Sequence, residues 1–88
     1  MSGNIKMEIM SMEALKERIT TDTNILSGKP VIRGLRISVE QVLRAMAAGV
    51  SEEDLLADYP ELEREDILAA LMYAADIISE TRVYPVAV

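Results

Sequence analysis

Cysteine and histidine are both absent from the 88 residues. Disulfides, thiol nucleophiles, zinc sites of the usual kind and the commonest general base near neutral pH are thereby removed. Phenylalanine and tryptophan are missing too, and Tyr59, Tyr73 and Tyr84 are the only aromatic residues. A core built from this chain must be aliphatic with methionine as gap-filler, and binding of single-stranded nucleic acid by base stacking is disfavoured. No stretch approaches the length of a membrane span, and the start has no basic region followed by a continuous apolar run. A soluble cytoplasmic protein is the expectation. Eighty-eight residues make one domain at most, near the lower end of what stabilises a core without metal or disulfide, so self-association is expected.

What the chain does have is a series of helix start signals. Ser38-Val39-Glu40-Gln41 is a capping box, in which the serine hydroxyl accepts from the Gln41 amide and the Gln41 side chain reaches back, with Ile37 and Val42 placed as a hydrophobic staple. The pattern recurs at Ser51-Glu52-Glu53-Asp54 between Val50 and Leu55, and more weakly at Glu63-Arg64-Glu65-Asp66 between Leu62 and Ile67. Gly49 suits the left-handed position after one helix, and Pro60 cannot continue another. Helices are expected at about 39–48, 52–58 and 64–79. Their apolar stripes are Val39, Val42, Leu43, Met46 and Ala47, then Leu55, Leu56 and Tyr59, then Ile67, Ala70, Leu71, Ala74 and Ile78. This is the helix order of a helix-turn-helix unit, and a three-helix bundle with no reading function fits the same pattern.

Upstream, residues 1–12 alternate as in a short strand but also fit a helix, and Ser11 is placed to cap a brief helix through Arg18. Ile19-Thr20-Thr21 and Val31-Ile32-Arg33 are expected as two short strands joined by an irregular loop, with Leu35-Arg36-Ile37 continuing the extended chain into the first cap. The division is therefore an N-terminal extension at 1–18, one helix-turn-helix domain with a β arm at 19–80, and an extended apolar tail at 81–88, which Pro85 confines to an edge or an arm. The formal charge of −6 is uneven. Lys29, Arg33, Arg36 and Arg44 face a single acid, Glu40, across residues 29–44, whereas residues 51–66 carry eight acids against Arg64.

The stretches Ile25-Leu26-Ser27-Gly28-Lys29-Pro30-Val31-Ile32-Arg33-Gly34, Arg36-Ile37-Ser38-Val39, Ala47-Ala48-Gly49, Asp58-Tyr59-Pro60 and Glu65-Asp66-Ile67, with residues 69–74, resemble the domain-of-unknown-function family 433. The resemblance covers about two thirds of the chain, and its Gly-Lys-Pro-x-x-x-Gly element is specific. It departs at Leu35 and Glu63, where the family usually has Thr. The resemblance implies a mainly α, homeodomain-like three-helix domain preceded by a short β-hairpin arm. It also implies an antitoxin-like partner of a PIN-like nuclease.

For function, the long helix offers no Arg, Lys, Asn, Gln, Ser or Thr from Glu65 through Ile78 to read base edges. The acids Glu61, Glu63, Glu65 and Asp66 read as first-turn residues that complement the helix dipole. No nucleophile, metal or cofactor site is discernible, so the protein is expected not to be an enzyme. Gly28-Lys29 is not a phosphate-binding loop, because Pro30 follows the lysine. The first expectation is a module that silences a PIN-like ribonuclease toxin, and the alternative is a DNA-binding regulator acting as a dimer on operator DNA. Lys29, Arg33, Arg36 and Arg44 are the candidate partner or DNA contacts. In an extended strand Arg33 and Arg36 point oppositely, so one should enter a partner while the other anchors the arm through Glu40. Leu68 and Met72, off the expected core stripe, are the candidate homodimer interface.

Overall fold

Local signals place each helix where the chain begins to satisfy its own first turn. In the computed structural model, which describes residues 13–80, the Ser38 hydroxyl accepts from the Gln41 amide at 2.9 Å and α1 runs Val39–Ala47. Ser51 accepts from the Asp54 amide at 3.1 Å and opens α2, Glu52–Asp58. The third helix, α3, is Arg64–Glu80. Its start uses the reciprocal half of a capping box, since the Asp66 carboxylate accepts from the Glu63 amide at 2.8 Å. At Ser38 the returning half is missing: Gln41 Nε2 donates to the Tyr59 hydroxyl at 2.8 Å instead, tying α1 to the end of α2.

Between α1 and α2 the turn is a Schellman motif. Gly49 has φ +94°, its amide donates to the Met46 carbonyl, and Val50 donates to Ala45, both at 3.0 Å. Ahead of α1, strands β1 (Ile19–Thr20) and β2 (Val31–Ile32) form a two-stranded antiparallel sheet, Ile19 opposite Ile32 and Thr20 opposite Val31. A further helical turn occupies residues 13–16. The described residues are thus mainly α, with α1, α2 and α3 preceded by the N-terminal helical turn and a small antiparallel sheet whose strands are joined through a short 3-10 turn at Leu26–Gly28. No described helix is long and apolar enough to cross a membrane. The expectations for residues 1–12 and 81–88 lie outside the described residues.

The β segment is no free arm. Val31 and Ile32 are completely buried, and Ile32 shares one cluster with Ile37, Val39, Val42, Leu55, Leu62, Ile67 and Ala70. At about 25 cal/mol per Å² of apolar surface removed from water, β2 is as much part of the core as α1 or α3. The expectation that residues 31–37 stay extended is also corrected. Arg33 and Gly34 both adopt positive φ (44° and 72°), and the Leu35 amide closes onto the Ile32 carbonyl at 2.7 Å. Two such residues in succession make a tight hairpin reversal. The chain then returns beside β2, with Ile32 N–H donating to Ile37 at 3.0 Å and Val31 bridging Ser38.

On α3 the buried face is rotated from the expected stripe. Ala69 and Ala70 are fully buried, whereas Leu71 and Ile78, assigned above to the core, are 42% and 69% exposed. The reason is that α3 is covered from two sides: by α1 against one face, and by β1 and the N-terminal turn on another, where Lys16 pairs with Asp76 at 3.5 Å. Alanine at 69 and 70 allows that close approach. The face left over carries the leucines.

Candidate interaction site

The sheet register puts Arg18 next to Arg33, one residue beyond the Ile19–Ile32 pair, and the Arg33 amide donates to the Arg18 carbonyl at 2.7 Å. Like charges on adjacent strands repel. Here both point at Asp66, whose side chain is wholly buried in the first turn of α3. Arg33 grips it in two-pronged fashion, Nε to Oδ1 and Nη2 to Oδ2 at 2.9 Å each, and Nη2 also donates to the Glu61 carbonyl at 2.8 Å. Arg18 Nη1 donates to Asp66 Oδ1 at 2.9 Å and to Glu63 Oε1 at 2.8 Å. With the Glu63 amide, the carboxylate accepts four hydrogen bonds.

Desolvation pushes the Asp66 carboxyl up, but hydrogen bonds from Arg33, the Glu63 amide and Arg18 outweigh it and hold the group below the usual carboxylate range. The same bonds raise Arg33, through Asp66 first, and raise Arg18, through Glu63 and then Asp66. This clamp compensates the left-handed backbone of Arg33, a conformation that costs a non-glycine residue about 1 kcal/mol. The hairpin is consequently held in one orientation.

Arg33 therefore anchors the hairpin, and it does so through Asp66 and Glu61, not Glu40. The Glu40 carboxylate is occupied by Arg44 at 2.9 Å and Lys29 at 3.3 Å, which lower its pKa in that order. Arg36 stands on the returning limb of the hairpin, exposed and with no hydrogen bond or ion pair to any described residue. Of the four candidate cations, Lys29 and Arg44 sit together over Glu40, Arg33 turns inward, and Arg36 alone projects unpaired.

Sequence reasoning missed Arg18 and Asp66. The weak box at Glu63–Asp66 was the available signal, because an acid three residues past a cap reaches back to it, but nothing local marks such an acid as buried. At the predicted oligomer face Leu68 is 38% exposed while Met72 is half-buried. The open stripe is instead Leu68, Leu71, Ala75 and Ile78, spaced three, four and three residues apart. Among the described residues, no group of three or more acids could hold a metal ion.

A family model described as "Protein of unknown function (DUF433)" matches residues 19–74. The uncharacterized protein y4eO of Sinorhizobium fredii (strain NBRC 101917 / NGR234) is 41% identical over 63 residues, 72% of this chain. The chain spans only 28% of that relative's length. A DUF433 member protein from Anabaena variabilis, known from a crystal structure, is similar in fold with a TM-score of 0.67 at 26% identity. The match covers 86% of this chain and 75% of that one.

Proposed function

We propose that the chain, which belongs to the DUF433 family of proteins of unknown function, is a non-enzymatic, antitoxin-like module that binds and inhibits a PIN-like ribonuclease through the hairpin of residues 31–38. The observation that carries the reading is the guanidinium of Arg36, unpaired among the described residues and presented on a hairpin that the Asp66 clamp immobilises. A planar guanidinium can pair two-pronged with a carboxylate, so it suits a partner whose site is a cluster of acids. Pre-ordering the hairpin spares the conformational entropy that a loose arm would lose on binding.

DNA regulation has less support. Lys29 and Arg44 are both engaged by Glu40, and the acids at the start of α3 have the wrong sign to face phosphates. Affinity purification of the tagged protein from its own cell is expected to recover a small nuclease in stoichiometric amount. With that pair purified, Arg36→Ala should weaken binding at least tenfold by calorimetry, about 1.4 kcal/mol, while Arg44→Ala changes it little. Equal losses, with salt-dependent binding to duplex DNA, would favour the regulator instead.

The proposal includes a homodimer. Leu68, Leu71, Ala75 and Ile78 have the three-four spacing of a helix seam, and a second copy of α3 would cover them in a two-fold pair. Light scattering at tens of micromolar is expected to give twice the chain mass, and Leu68→Glu with Leu71→Glu should return the monomer. A wild-type monomer at high micromolar concentration excludes this interface.

A further inference from the structure

Between α1 and α3 runs a groove of about 540 Å³, open among the described residues, with Leu43 and Ala47 of α1 on one wall and Tyr73, Ala74 and Ile77 of α3 on the other. Its size and apolar walls suit a small organic molecule. At about 100° per residue, Tyr73, Ala74 and Ile77 continue the stripe of the buried Ala70, and they lie about 120° round the helix from the centre of the column of Leu68, Leu71, Ala75 and Ile78. The two faces meet only at Ile78, so the walls named are clear of the dimer seam. Arg36 does not line the groove either.

One rim is charged and unbalanced. Lys29 and Arg44 share a single acid, Glu40, at 3.3 and 2.9 Å, which leaves one surplus positive charge there on a chain whose total is −6. Donors remain as well as charge. Arg44 spends only Nε on Glu40, so neither of its Nη groups has an acceptor among the described residues, and Lys29 Nζ spends one of its three protons. All three side chains are exposed, so their pairs are weak and leave room for a second anion. One surplus cation is too little to hold a phosphate backbone, which needs several contacts. It matches a single anionic head, and the walls beside it match an apolar body.

We infer that the groove binds a small monoanionic amphiphile, a free alkyl or aryl carboxylate, with its body between α1 and α3 and its head on Arg44 Nη and Lys29 Nζ. The walls from Leu43 to Ala47 and from Tyr73 to Ile77 each rise about 6 Å, which sets a short chain or a ring as the body. The ligand is a free molecule and not a membrane surface, because a chain of net charge −6 is repelled by an anionic bilayer.

The test varies the head and keeps the body. Amide NMR spectra of the full chain are followed during titration with octanoate, octanol and octyltrimethylammonium, each below its micelle concentration. Octanoate is expected to shift residues 29, 43–47 and 73–77 saturably and to bind at least tenfold more tightly than octanol, with the cation weaker still. Arg44→Gln, a change at an exposed position, should bring octanoate to the affinity of octanol. Ala47→Gln narrows the groove without altering charge and should weaken both. Equal affinity for the three probes, or shifts confined to residues 68–71, would mean alkyl adsorption on apolar surface and would overturn the proposal. Absence of saturable shifts would overturn it as well, because the groove is then filled by a second copy or by another segment of the chain. Binding to phosphatidylglycerol vesicles in place of free octanoate would assign the face to a membrane instead and have the same consequence.

Discussion

Asp66→Asn is expected to destabilise the protein by about 3–5 kcal/mol, the loss typical when one member of a buried ionic network is neutralised and its partners remain. Asparagine keeps the shape but offers one acceptor oxygen where the carboxylate uses two, and its NH₂ confronts the donors of Arg33 or the Glu63 amide. Arg33 is then left without its counter-charge, and the neighbouring Arg18 keeps only Glu63. Domains of this size have only about 5–10 kcal/mol in total, so the variant should be close to unfolding at 37 °C. Urea titration followed by circular dichroism measures the loss. The pH dependence identifies its cause. Because the folded carboxyl is held below its unfolded value near 4, its contribution is complete above that value and is lost as pH falls through the folded one. The gap between wild type and variant should therefore narrow from pH 5 downward. A gap unchanged at pH 3 would mean that shape, not charge, holds the site.

Arg33→Ala is the second large effect, about 2–3 kcal/mol, and its contrast with Arg36→Ala separates anchor from contact. Removing Arg33 takes one donor from each Asp66 oxygen and the donor of the Glu61 carbonyl, leaving a buried carboxylate with Arg18 and one amide. Arg36→Ala removes no bond to any described residue and should stay within about 0.5 kcal/mol. Arg33→Lys should recover little, because a point charge cannot span both oxygens. Thermal melts of the three variants decide the matter. Similar melting temperatures for Arg33→Ala and Arg36→Ala would remove the clamp from the account of the hairpin.

Why helices were legible and the site was not follows from where each signal resides. Ser38, Ser51 and Gly49 act on backbone groups within five residues of themselves, so pattern alone places α1, α2 and α3 within one residue of their observed ends, whereas the short 3-10 turn Leu26–Gly28 lies in what reads as an irregular loop. Arg33 is different: nothing local asks a non-glycine residue for positive φ, and the conformation stands because Asp66, 33 residues away, grips the side chain. An acid in a first turn is ordinarily solvated, so Asp66 read as a dipole partner. Leu71 and Ile78 were assigned to the core because periodicity reveals an apolar face without saying which of two faces a neighbour will cover.

The clamp also has a kinetic meaning. It joins residues 33 and 48 positions apart, whereas α1, its Schellman turn and α2 are closed by contacts within a few positions. Closing long loops costs entropy before any contact compensates it, so the local helices form early and the hairpin docks only after α3 has arrived. We predict that a Leu35→Ala substitution at the hairpin changes the unfolding rate far more than the folding rate, while Val42→Ala in α1 slows folding. The reverse ranking would place the hairpin in the nucleus. With the predicted order, the surface bearing Arg36 is absent from every partly folded form, and a partner of the kind proposed would be checking that the described domain has finished folding.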